Sequence, residues 1–181
     1  MPDTADSPAQ NSTEASTGPE RVEIRMPTVA DGTSLWRLAA GTRVLDVNTP
    51  YAYLLWARDF AETSVIAEVD GEPAGFISGY RRPSSPETLF IWQVAVDSRF
   101  RGRRLASRML STLVDSTSPH RLETTITSDN AASIALFTGL ARDRGAEITT
   151  TGLFSEAVFP SADESGEVHA AEDLYTVAPL N

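Results

Sequence analysis

The nine residues Thr-Leu-Phe-Ile-Trp-Gln-Val-Ala-Val at 88–96 constrain this chain more than any others. They are apolar on both faces, which predicts a central strand covered above and below. The run leads into Arg99-Phe100-Arg101-Gly102-Arg103-Arg104, and over 104–115 Leu105, Met109, Leu110, Leu113 and Val114 fall on one helical stripe. A buried strand thus passes through a short, basic, glycine-bearing turn into an amphipathic helix. The first turn of such a helix presents unpaired N–H groups and about half a positive charge. With arginines beside it, that turn suits a phosphate or pyrophosphate. The competing reading is an exposed basic turn that offsets an acidic surface.

Helix and strand signals alternate around this unit. Residues 22–25 predict a short strand, 31–40 a helix, and Pro50 opens a second helix ending near 60. Strands are expected at 64–69 and 73–81, joined by Asp70-Gly71, a hairpin signature. Beyond the central helix come a strand at 122–127, a helix at 130–144 and strands at 148–154 and 173–178, the last two flanking an acidic loop at 161–172. The order β-α-α-β-β-β-α-β-α-β-β is that of a mixed α/β sheet, and 181 residues are the size of one domain. Residues 1–20 carry Ser, Thr, Pro, Ala and acid with no large apolar residue after Met1, which predicts a disordered tail ahead of a domain over 21–181. That tail has neither a basic nor an apolar segment of a signal peptide, and no stretch reaches the length of a membrane span. A cytoplasmic protein is the expectation.

Composition removes several chemistries. There is no cysteine, so disulfides, thiolate nucleophiles and cysteine metal sites are excluded; with 2 histidines a histidine-rich metal site is not expected. All 15 basic residues are arginine, which excludes a lysine Schiff base and a Walker A loop. A net charge of -10 speaks against a nucleic-acid binder.

Residues 101–106 resemble the pyrophosphate loop (Q/R-x-x-G-x-G/A) of the GNAT acetyltransferases, placed as usual after the fourth strand. The resemblance implies a mostly antiparallel central sheet with helices on both faces, and acetyl-CoA as the acetyl donor. It further implies that the backbone of Arg101, Gly102, Arg103, Arg104, Leu105 and Ala106 holds the CoA pyrophosphate. The backbone around Val94 and Val96 would pair with the pantetheine and face the thioester. Arg104 departs from the pattern, standing where the family has its inner glycine; a Cβ is tolerable there at negative φ. Residues 44–55, 90–97, 105–110 and 122–133 narrow the likeness to the L-2,4-diaminobutyrate acetyltransferases of ectoine biosynthesis, over about residues 22–180. This implies acetylation of the 4-amino group of diaminobutyrate, no metal, a role in osmotic stress and a homodimer. The same fold also serves other amines, including polyamines, and a non-catalytic CoA-binding module is the reading from another class.

The chemistry asks for carboxylates that attract an ammonium group and take its proton, and for backbone donors to the thioester oxygen. Glu123 is the candidate base. It alternates away from Leu122, Thr124 and Ile126, and a carboxylate on a central strand needs a partner or a task; an arginine ion pair is the other reading. Asp46 lies in the loop that closes over the acceptor in this family, and serves the ammonium groups unless it is a plain turn residue. Trp92 walls the pocket, with cation–π attraction to the amine, or simply packs. Tyr51 is assigned to the site and Tyr53 to packing, since residues two apart on a helix cannot share a face. Asn130 is a helix N-cap on general grounds, and by resemblance a CoA contact. Phe137 stands where many relatives have a tyrosine acid. Arg81, Arg82, Arg37, Arg43 and Arg58 are all open candidates for the acceptor's carboxylate, and His120 and His169 read as loop residues.

Overall fold

A computed structural model describes residues 20–42, 45–166 and 168–180. The predicted tail and residues 43 and 44 of the first interhelical loop lie outside these, apart from Glu20. The elements run β1 (Val22–Arg25), α1 (Gly32–Thr42), α2 (Pro50–Asp59), β2 (Val65–Val69), β3 (Glu72–Arg82), β4 (Ser85–Val96), α3 (Leu105–Thr117), β5 (Arg121–Thr127), α4 (Ala131–Arg144), β6 (Glu147–Phe154), the short α5 (Ala162–Ser165) and β7 (Glu172–Ala178). Among the described residues the seven strands form one sheet in the order β1-β2-β3-β4-β5-β7-β6. Its pairs are antiparallel except β4 with β5.

Two differences from the expected elements have local causes. Strand β4 begins at Ser85 rather than 88, before its β5 pairing starts at Thr88. Pro86 therefore sits where the strand has one neighbour, the place a sheet tolerates proline. The expected loop at 161–172 contains the one-turn α5, too short to leave a periodic signal. The Asp70-Gly71 hairpin forms as expected, with φ of 52° and 84° at its two central residues, the left-handed pair a tight hairpin demands.

Each face of the sheet buries its own core. On one face α3 and α4 cover Ile77, Leu89, Ile91, Leu122 and Ile126; on the other α1 and α2 cover Ile66, Phe76 and Ala95 with Leu35, Leu38 and Tyr53. Strand β4 serves both, which is why its sequence is apolar throughout. A bulge interrupts its alternation: Gly79 faces Ile91 and Ser78 faces Gln93, leaving Trp92 as the extra residue. Gly79 makes room for this, since a Cβ there would lie 2.7 Å from the Phe90 carbonyl oxygen. Past the bulge the parity of β4 is reversed, so Gln93 and Ala95 face α1 and α2 while Val94 and Val96 face α3. A corner of the sheet is tied by Arg25, which donates to both oxygens of Asp31 at 2.9 Å and reaches Glu68. Hydrogen bonds from Arg25 and Thr28 hold the Asp31 carboxyl down at about 2.

Candidate active site

Strands β4 and β5 pair only from Thr88–Arg121 to Ile91–Thr124. Beyond that point β4 keeps β3 on one side and loses β5 on the other, so the sheet opens. A cleft of about 580 Å3 lies at this opening on the α3 side, between Val94 and Val96, the turn before α3 and the start of α4. Arg101, Gly102, Arg104, Leu105 and Ala106 line it, as does Asn130. The Asn130 side chain also accepts from the Ser133 N–H at 3.1 Å, so the N-cap and the cleft position coincide.

The turn itself is wound by left-handed residues. Gly102 has φ 78° and Arg104, directly before α3, has φ 57°. The negative φ that would ease a side chain at 104 is therefore not what forms; Arg104 takes the glycine conformation at a cost of about 1–2 kcal/mol. Alternating hand in consecutive residues turns successive N–H groups inward, a concavity that fits an anion. The arginines divide their work. Arg99 pairs with Asp97 and Glu72, and Arg103 pairs with Glu20; the two guanidiniums lie 5.1 and 5.2 Å from the Phe100 ring centroid. Arg103 is thereby drawn away from the cleft lining expected for it, leaving Arg101 and Arg104 there. The apolar wall of Val94, Val96, Leu105 and Leu136 beside an anion-binding turn fits the mixed character of CoA.

The opposite face carries the second half. Trp56 packs against Trp92 in a tilted arrangement with ring centroids 4.2 Å apart, and Tyr80 packs against Trp56 and Phe90. Glu123, opposite Phe90 in register, is 4% exposed among these groups. Arg82 donates to its Oε2 at 2.8 Å, whereas Arg121 stands 3.9 Å from Oε1, beyond hydrogen-bond reach. The ion pair weighed against catalysis thus exists; it engages Oε2, while Oε1 takes no hydrogen bond from Arg82 and faces the Arg121 guanidinium across 3.9 Å. Asp46 is exposed in the loop between α1 and α2, its main-chain oxygen bonded by Gln93. Tyr51 is not gathered with these residues: it is 66% exposed, while Tyr53, on the other side of α2, is buried against Phe76.

The remaining candidates separate cleanly. Arg82 is engaged by Glu123, Arg81 by the Pro86 and Thr117 carbonyls, and Arg58 by Asp59; Arg37 lines a separate hollow with Ser98 and Arg99. Arg43 lies outside the described residues. Phe137 is sealed in the α3–α4 core and offers no proton to a leaving group. His120 is exposed and His169 stacks on Phe159. Gln93, whose amide bonds the Asp46 main chain, is not among the sequence candidates, because its strand-interior position reads as core until the bulge is known.

The sequence profile described as "Acetyltransferase (GNAT) family" matches residues 33–140. An L-2,4-diaminobutyric acid acetyltransferase of Nocardia farcinica is 51% identical over 160 residues, covering 87% of this chain and 80% of the relative. Its counterpart in Streptomyces coelicolor is 49% identical over 165 residues, with 88% and 94% covered. This chain belongs to the L-2,4-diaminobutyric acid acetyltransferases of the GNAT family. A solved diaminobutyrate acetyltransferase from Paenibacillus lautus, in complex with L-2,4-diaminobutyric acid and coenzyme A, superposes with a TM-score of 0.84 at 38% identity, covering 90% of this chain and 98% of that one. The GNAT fold expected from residues 101–106 is therefore the fold of this acetyltransferase, a mixed, mostly antiparallel sheet with helices on both faces. Among the described residues no cluster of His, Asp and Glu suits a metal, and no helix is long and apolar enough to cross a membrane.

Proposed function

We propose that the protein transfers the acetyl group of acetyl-CoA to the 4-amino group of L-2,4-diaminobutyrate, giving N4-acetyl-L-2,4-diaminobutyrate in ectoine biosynthesis. The observation that carries this reading is the parting of β4 from β5 after Ile91 and Thr124, which leaves a gap between a donor cleft on one face and a buried carboxylate on the other. Through such a gap an amine on one side of the sheet reaches a thioester on the other.

Each residue then has a task. The N–H groups of residues 101–106 take the pyrophosphate, with Arg101 and Arg104 adding charge, and Val94 and Val96 offer the backbone that β5 leaves unpaired. The diamine arrives as ammonium at neutral pH, so the exposed Asp46 carboxylate attracts it and the aromatic wall of Trp92 faces it. Oε1 of Glu123 takes the proton, freeing the nitrogen lone pair for the carbonyl carbon. N–H groups of β4 beyond Ile91 stabilise the charge that gathers on the carbonyl oxygen. The new C–N bond forms first, and as the adduct collapses and the C–S bond breaks, the second proton of its nitrogen passes through water to the departing CoA thiolate, leaving the amide and the CoA thiol. No metal takes part.

We assign the protein to the cytoplasm, with small molecules rather than nucleic acid or membrane as its partners. We also assign it to a homodimer: β6 is an open sheet edge, and Leu153, Phe154 and Val158 at its end are exposed apolar side chains of the kind a partner copy covers. Incubation of acetyl-CoA with a panel of amines, read by mass spectrometry, tests the activity. The reading expects N4-acetyldiaminobutyrate as the preferred product; preference for a polyamine or a peptide N-terminus contradicts it.

A further inference from the structure

Gln93 is 5% exposed on the stretch of β4 beyond its last pairing with β5, where an apolar residue of its size would pack without leaving polar atoms to satisfy. Its Nε2 donates to the main-chain oxygen of Asp46 at 3.0 Å. A carbonyl can only accept, so this bond fixes which way the amide points and leaves Oε1 as the inward atom. Oε1 is buried with no hydrogen-bond partner, and so is Oγ of Ser78, its cross-strand neighbour. Buried polar atoms left unmatched are uncommon and mark places kept for reasons other than packing. The glutamine reaches this face only because Trp92 is an extra residue; in an unbroken strand it would point at α3.

What the tether holds is equally specific. Leu45, one residue before Asp46, lines the donor cleft, while Asp46 itself is exposed and its main chain touches Gln93 on the α1–α2 side of the sheet. The loop between α1 and α2 thus borders both halves of the site, and its main chain is fixed to the sheet at the point where it passes from one to the other.

We propose that Gln93 is a positioning residue for the acceptor: it holds the α1–α2 loop on the β4 bulge and so aims the Asp46 carboxylate at the diamine's ammonium. The proposal rests on the diaminobutyrate reading and on Asp46 meeting the acceptor. Because backbone groups of the turn before α3 hold the donor, loosening the loop leaves donor affinity nearly intact. A purely structural glutamine would disturb both substrates or neither.

The test compares wild type, Gln93→Leu, Asp46→Asn and the double variant, with KM for diaminobutyrate and for acetyl-CoA measured separately. Gln93→Leu raises the diamine KM by about tenfold, with the acetyl-CoA KM and kcat within about threefold of wild type. In the Asp46→Asn background the same change adds nothing, since the tether acts through that carboxylate. A diamine KM within about twofold of wild type, parallel rises in both KM values, or additive effects in the double variant would each overturn the proposal. Gln93→Met keeps the length and approximate volume of the side chain and loses the donor without adding a charge, so it must show the same split and decides the matter if the leucine variant does not fold. Wild-type protein that leaves diaminobutyrate unacetylated removes the underlying reading; wild-type turnover with unaltered KM values in the variants removes this inference alone.

Discussion

The donor cleft and the acceptor face are built in opposite ways. Most of the donor cleft comes from 14 consecutive residues, Val94 through Ser107, and works through the backbone: unpaired strand edges, positive φ at Gly102 and Arg104, N–H groups at a helix start. The proposed acceptor face draws single side chains from β3, β4, β5, α2 and the loop before it, and the chemistry proposed for it rests on Glu123, Trp92, Asp46 and the contacts that hold them. The first can be read along the chain and tolerates side-chain change where conformation is kept. The second exists only once the sheet has formed, and each member depends on a neighbour.

The largest expected effect is on the acceptor side. Glu123→Gln keeps the shape and the Arg82 contact but cannot take a proton, and should lower kcat by about 10²–10⁴-fold while acetyl-CoA affinity, measured by calorimetry, stays at the wild-type value. Equal loss of both would merge the two halves. A control outside either half comes next. The folded Asp31 carboxyl titrates at about 2, below its ordinary 3.8, so its contribution to stability is complete above pH 4 and is lost as pH falls through 2. Asp31→Asn should therefore destabilise by about 2 kcal/mol at pH 7 and by almost nothing at pH 2, read by denaturant titration.

On the donor side, Gly102→Ala strains φ 78° although its Cβ would meet nothing within 4 Å. It should weaken acetyl-CoA binding about tenfold and leave the diamine KM unchanged. The smallest effect is expected from Arg104→Gly, which relieves a left-handed arginine. It should raise the melting temperature by about 2–4 °C and weaken acetyl-CoA binding by about threefold, less so in high salt.

How much could be read in advance follows the same division. The double-sided apolarity of residues 88–96, the Asp70-Gly71 turn and the stripe of α3 are local signals, and each became the element expected. Phe137 and Asn130 were legible because one lies in a helical stripe and the other opens a helix. The register was not legible: nothing in Ile91-Trp92-Gln93 says that the strand bulges, so Gln93 could not be placed on the acceptor face. Arg103 read as part of a basic turn because its pairing with Glu20 and Phe100 depends on how the turn folds back. Glu123 was found by alternation, but its Arg82 partner lies 41 residues away and only the β3–β4–β5 pairing brings it there.

The central claim is that donor and acceptor approach from opposite faces and meet where β4 leaves β5. A crystal structure of this chain with CoA and diaminobutyrate tests it most directly. The account predicts the pyrophosphate at residues 101–106, the CoA sulfur beside Val94–Val96, and the 4-amino nitrogen on the far side of the gap, within hydrogen-bond distance of Glu123. Both ligands on the α3 face, or an amine lodged away from Glu123, would contradict it.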